Sequence, residues 1–143
     1  MRFMMMVIPK GYEKAKAGTV PDAKLVAEMS KFNESMLKAG VMLSGEGLHP
    51  PAMGARVGFS GGKPKVIDGP FTEAKEVIGG FWMIQVKSKA EAIEWAKRCP
   101  MPDGDVIEIR QVQEFEEFPA DVQEAAANEV AMREQLEKKA KKR

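Results

Sequence analysis

"KVIDGPFTEAKEVIGGFW", residues 65–82, holds the end of one strand, the start of another and an irregular segment between them. The apolar pair Val66 and Ile67 stops at Asp68-Gly69-Pro70-Phe71, and Gly79-Gly80 leads directly into Phe81-Trp82. Asp-Gly-Pro is strong local punctuation, because glycine accepts unusual dihedrals and proline has no N–H to continue a ladder. The same residues allow two readings. Asp68 holds a turn that redirects the sheet, or its carboxylate is aimed into a pocket walled by Phe71, Phe81 and Trp82.

On the N-terminal side, Phe3 to Ile8 is a continuous apolar run closed by Pro9, which predicts a strand buried on both faces. The period changes over Pro21 to Ala39, where Leu25, Met29, Phe32 and Met36 recur at helical spacing and Val26 and Leu37 widen the stripe. Thr19 with Asp22 three residues on reads as a capping box, and Gly40 as the stop. Val41 to Leu43 begins a second strand that runs into the broken loop "SGEGLHPP". Arg56–Ser60 and Lys65–Ile67 flank "SGGK" as a hairpin, and Phe81 to Val86 is a further core strand. Ser88 and Glu91 form a capping box for a second helix with Ile93, Trp95, Ala96 and Cys99 on its apolar face, and Val106 to Val112 closes the pattern.

Strand, helix, strand, hairpin, strand, helix, strand predicts an α+β fold: a ferredoxin-like split βαβ arrangement with an antiparallel sheet and both helices on one face. The N-terminal strand is apolar at both alternating sets of positions, so the second face of the sheet needs cover as well. A second copy of the chain supplies it most simply, which predicts a homodimer. The domain is expected over residues 1–113. Residues 114–143 then read as a C-terminal helical extension starting near Pro119, with a thin stripe of Val122, Ala126 and Val130 and a basic end, "KKAKKR". Acids at its start and bases at its end suit the helix dipole.

The 143 residues are enough for one domain with a real core, and 44% apolar with 30% charged is an ordinary globular composition. Lys plus Arg number 22 and Asp plus Glu 21, a balance that gives no argument for nucleic acid or an anionic membrane as partner. Cys99 is the single cysteine, so an intrachain disulfide is impossible and a cytoplasmic, reducing location is expected. The opening "MRFMMMVIP" is too short for a signal-peptide core or a membrane span.

Familiar cofactor devices are missing from the pattern. Gly45-x-Gly47 meets Pro50 where a dinucleotide fingerprint needs glycine, and Gly62-Lys63 is followed by Pro64 where a phosphate loop needs a hydroxyl residue. One histidine and one cysteine give no zinc spacing, so neither metal nor cofactor is expected. The remaining polar set lies in two loops: Ser44, Glu46 and His49 in one, Asp68 and Thr72 in the other. His49 is alternatively a plain exposed residue before two prolines, and Trp82 alternatively core. The 11 methionines read as adaptable core filling.

"GEGLHPP", a hairpin, "DGPFTEAKEVIGGFW", "KSKAEAIEWAKRCP" and "VIEIRQV" in this order closely resemble the YCII-related proteins of the DGPF type, over about residues 1–113. The resemblance implies a dimeric α/β-barrel of ferredoxin-like subunits and a possible link to extracytoplasmic-function sigma factors. It also implies an aspartate paired with a histidine on the first helix. Asp68 matches the acid, but "PDAKLVAEMSKFNESMLKAG" has no histidine, leaving His49 as the substitute. The resulting expectation is a dimeric small-molecule-binding domain and possible isomerase- or lyase-like enzyme. Asp68 and His49 would move protons, with Ser44, Glu46, Phe71, Thr72 and Trp82 about the ligand. The alternative is a non-catalytic regulatory or protein-interaction module.

Overall fold

In the computed structural model, which describes residues 1–71 and 74–143, β1 (Arg2–Ile8) lies inside a four-stranded antiparallel sheet. β1 pairs on one side with β5 (Gly80–Gln85) and on the other with β6 (Val106–Gln111), and β2 (Met42–Gly47) pairs with β5, giving the order β2-β5-β1-β6. β3 (Ala55–Ser60) and β4 (Lys63–Asp68) form a separate two-stranded hairpin. Its turn residues Gly61 and Gly62 both have positive φ, 58° and 76°, the left-handed conformation that a two-residue hairpin turn requires. The α+β class and the antiparallel sheet expected from the residue pattern are those observed.

Alternation along β1 decides where the core sits. Phe3, Met5 and Val7 point to the helices, and the register sets Ile84 opposite Phe3 and both Trp82 and Ile109 opposite Met5. α1 (Ala23–Lys38) buries Phe32 and Met36 in this layer, and α2 (Lys89–Lys97) buries Ala92 and Trp95. The other face of the sheet carries Met4, Met6 and Ile8 beside Phe81 and Met83. Methionines stand on both faces of β1, Met5 towards the helices and Met4 and Met6 away from them, consistent with unbranched side chains filling irregular space.

Helix boundaries follow caps more than apolar stripes. Asp22 is the N-cap of α1, its carboxylate accepting from Leu25 N at 2.7 Å, whereas Thr19 donates to Lys16 O in the preceding loop. Gly40, at φ 73°, closes α1 with Gly40 N on Leu37 O and Val41 N on Met36 O. Ile93 is only half-buried on α2, since the face turned to the sheet runs through Ala92 and Trp95. All four residues of "SGEG" are strand rather than loop. Gly45 lets the Trp82 indole lie against the β2 backbone, and a Cβ there would stand 2.6 Å from Trp82 Cδ1.

The chain divides into two compact units, Met1–Val112 and Gln113–Arg143. The second holds a 3-10 turn, Phe115–Glu117, then α3 (Ala120–Ala125) and α4 (Glu129–Lys141). A single helix was expected there, but Ala126, at φ −114° and ψ 33°, ends α3 after six residues. Among the described residues no helix is long and apolar enough to cross a membrane.

Candidate functional site

The turn after β4 is docked against the segment after β2. Gly69 N donates to Gly54 O at 2.9 Å, and a Cβ on Gly69 would lie 1.6 Å from the Pro51 carbonyl oxygen. Glycine is therefore required here by backbone-to-backbone approach. Its φ is not positive, and the following bond, Gly69-Pro70, is cis. Pro51–Met53 forms a 3-10 turn behind a fully buried Pro50, so the prolines after His49 make the floor on which the Asp68 turn rests.

The same segment is tied to the first half of the domain. Tyr12 Oη donates to Leu48 O at 2.6 Å, Leu48 N donates to Gly79 O at 2.9 Å, and Gly79 N donates to Val7 O at 2.8 Å. Partial burial raises the Tyr12 phenol above its ordinary pKa, so the hydroxyl stays a donor. His49, next to Leu48, thus stands on backbone braced from the end of β1.

Two cavities flank this junction, and Phe71 lines both. The first, about 340 Å³, is walled by His49, Pro50, Pro51, Met53, Gly54, Arg56, Phe71, Glu76, Val77 and Ile78. The second, about 460 Å³, lies between the Glu13–Ala17 segment and Ala52, Pro70, Phe71 and Ala74. Both fall within the range of small-ligand sites. In the first, the Arg56 guanidinium carbon lies 4.1 Å from the Phe71 ring centroid, a cation–π contact that holds the charge over the ring. In the second, Glu13 Oε2 is buried with no hydrogen-bond partner among the described residues.

The expected site residues are therefore distributed over several places. His49 and Phe71 meet in the first cavity. Asp68 ends β4 opposite Ala55, is exposed, and lines neither cavity; among the described residues no donor meets its carboxylate. Ser44 and Glu46 are exposed strand residues, opposite Met83 and Phe81, on the sheet face away from the helices. Trp82 is core: it is 5% exposed, its Nε1 donates to Asn33 Oδ1 at 2.8 Å, and its ring meets Phe32 edge-on at 5.5 Å. Thr72 lies outside the described residues.

Arg56 and Glu76 are the charged cavity residues that sequence reasoning missed. Arg56 was only the first residue of an expected hairpin strand, and nothing in its neighbourhood signals that Phe71, 15 positions on, lies under it. Among the described residues no group of three or more His, Cys, Asp or Glu is arranged to hold a metal ion. The lining offers a cation, a histidine and a carboxylate on apolar walls, which is enough to bind and orient a small polar molecule and to exchange a proton with it.

The model of the YCII-related domain matches residues 1–116, which include both strands of the hairpin, the Asp68 turn and all of the four-stranded sheet. The chain belongs to the YCII-related family. It is also similar to an uncharacterized protein of Rhizobium meliloti (strain 1021), 32% identical over 76 residues. That match covers 53% of this chain and 61% of the relative, so the chain spans about three fifths of that protein's length. Both cavities lie within the YCII-related domain, and α3 and α4 lie beyond it.

Proposed function

We propose that this YCII-related domain is a cytoplasmic small-molecule-binding protein whose ligand site is the cavity between His49 and Phe71. The observation that carries the reading is the meeting of the His49-Pro50-Pro51 segment and the Asp68 turn around one 340 Å³ space. Segments 20 residues apart in sequence are brought there by a glycine that tolerates no side chain. Acid–base turnover, isomerase- or lyase-like, is the reaction class this lining serves, with His49 as the proton-transferring group. Asp68 enters as the residue that ends β4 and sets the turn, and as a second candidate acid or base should the turn carry it towards a bound ligand.

The assembly proposed is a homodimer of ferredoxin-like subunits closing into an α/β-barrel. The order β2-β5-β1-β6 with both core-forming helices on one face supports it, as does the apolar middle of the second face, Met4, Met6, Ile8, Phe81 and Met83, bordered on the edge strands by Ser44, Glu46, Glu108 and Arg110. The hairpin adds support: Val57, Phe59 and Val66 share one of its faces and are 52%, 79% and 63% exposed. An isolated two-stranded hairpin is marginal in water, so such a face calls for cover.

A thermal-shift screen of small metabolites tests the binding reading, because a ligand of the folded state alone raises its stability. The expected result is a compound that stabilises the wild type and fails to stabilise Ile78→Trp, in which the cavity is filled. Asp68→Asn in parallel separates the two roles of that residue: retained binding with lost turnover assigns it chemistry, while lowered stability with unchanged binding assigns it the turn. Hits that ignore Ile78→Trp would move the site elsewhere and overturn the reading.

A further inference from the structure

We infer that the ligand of this cavity is a small monocarboxylate with an apolar body, and that Arg56 is the residue that recognises it. The inference rests on the reading of the cavity as a ligand site and adds the chemical class. Arg56 sits on β3 with its guanidinium 4.1 Å from the Phe71 centroid. The ring holds the guanidinium by its carbon, and among the described residues no ion pair or hydrogen bond occupies its N–H groups. A planar, pre-oriented fork of donors matches a carboxylate through two parallel hydrogen bonds, which an ammonium does not reproduce.

The rest of the wall restricts the class. Met53 and Ile78 are 52% and 42% exposed and face the same space with Pro51, a surface suited to a hydrocarbon chain or ring. Glu76 is the other formal charge in the lining and makes no ion pair with Arg56. A second carboxylate on the ligand would meet Glu76 as a like charge, so dicarboxylates are disfavoured. A volume of 340 Å³ lies at the small end of ligand sites, which suits compact ligands of about eight to ten heavy atoms.

The test is an NMR titration of the full-length protein with hexanoate, hexanamide and adipate, and with phenylacetate as an aromatic acid. The amide keeps the size of hexanoate and loses its charge, and adipate adds a second charge at the same chain length. The expected result is binding of hexanoate and phenylacetate, with shifts in the His49 and Ile78 resonances. Hexanamide and adipate should bind at least about tenfold more weakly, the size expected for a charge-assisted pair. Arg56→Gln should lower hexanoate affinity to that of the amide, Arg56→Lys should recover only part of it, and amide binding should be unchanged in both. The amide spectrum of each variant confirms its fold. Equal binding of acid and amide, with both lost in Ile78→Trp, would overturn the carboxylate assignment and leave the cavity as a site. Absence of any shift at His49 and Ile78 with all four probes would overturn this inference, and the metabolite screen would then decide the site itself.

Discussion

Gly69 is the residue on which the candidate site turns. A methyl group there would collide with the Pro51 carbonyl, a backbone atom that no rotamer change can move. Gly69→Ala should therefore cost more than about 2 kcal/mol or prevent folding, while Gly47→Ala, which meets open space, should change stability by no more than about 0.5 kcal/mol in urea unfolding. Equal stability of the two variants would show that the turn is free to move. Cys99 makes a different point. Burial beside Met29, with the two sulfurs 3.8 Å apart, pushes its thiol up to about 12 from an ordinary 9.0. At pH 8 its thiolate is then about a thousandfold scarcer than that of a free thiol, and a disulfide reagent should react correspondingly slowly until the protein is unfolded. The sign of the stability effect follows. The unfolded thiol ionises from about 9 upward while the folded one stays protonated, so this contribution is complete below pH 9 and is lost as pH rises towards about 12. Urea midpoints of wild type and Cys99→Ala should diverge only on that alkaline limb, and parallel curves from pH 8 upward would contradict the assignment. Cys99 already read as part of an apolar helix face, whereas the turn was visible in the sequence only as two alternatives. The residue types name what a side chain can do, and the neighbours that select among those options arrive from distant segments.

At the scale of elements, periodicity and caps located both helices of the domain, and capping chemistry set their ends. In α2, Ser88 Oγ accepts from Glu91 N at 3.1 Å and the Glu91 carboxylate accepts from Lys87 N at 2.8 Å, one residue earlier than a standard capping box. Ser88→Ala should cost about 1 kcal/mol, read as a lower thermal midpoint with faster amide exchange in the first turn of α2. No change in either would mean that the packing of Trp95 alone holds the helix. For α1 the same pattern pointed to Thr19, and Asp22 is the cap, because Pro21 has no amide to give a cap at Thr19 while the Asp22 carboxylate holds Leu25 N and the Thr19 hydroxyl turns back to Lys16 O. The strand content of "SGEG" was hidden for a related reason. Glycines normally mark a break, and here Gly45 marks the place where an indole from β5 presses on the backbone. A tertiary contact converted a breaker into a strand residue.

For the whole molecule, the open question of sequence order was what covers the second face of the sheet. A dimer gives a light-scattering mass of about twice 15.8 kDa, and Met83→Glu, at the middle of the face shared by Met4 and Phe81, should shift it towards one chain with unchanged circular dichroism. A wild-type mass of a single chain would mean that the face is satisfied within the chain and would end the barrel proposal. The apolar periods, the turn residues and the helix stops are local properties, and local sequence was sufficient to determine an antiparallel α+β domain and the order of its elements. The choice of Phe71 and His49 over Asp68, Ser44, Glu46 and Trp82 as cavity wall belonged to tertiary structure alone. Which side chains share a space depends on register and docking between segments far apart along the chain, and Arg56 over Phe71 carries no trace of that meeting in its own surroundings.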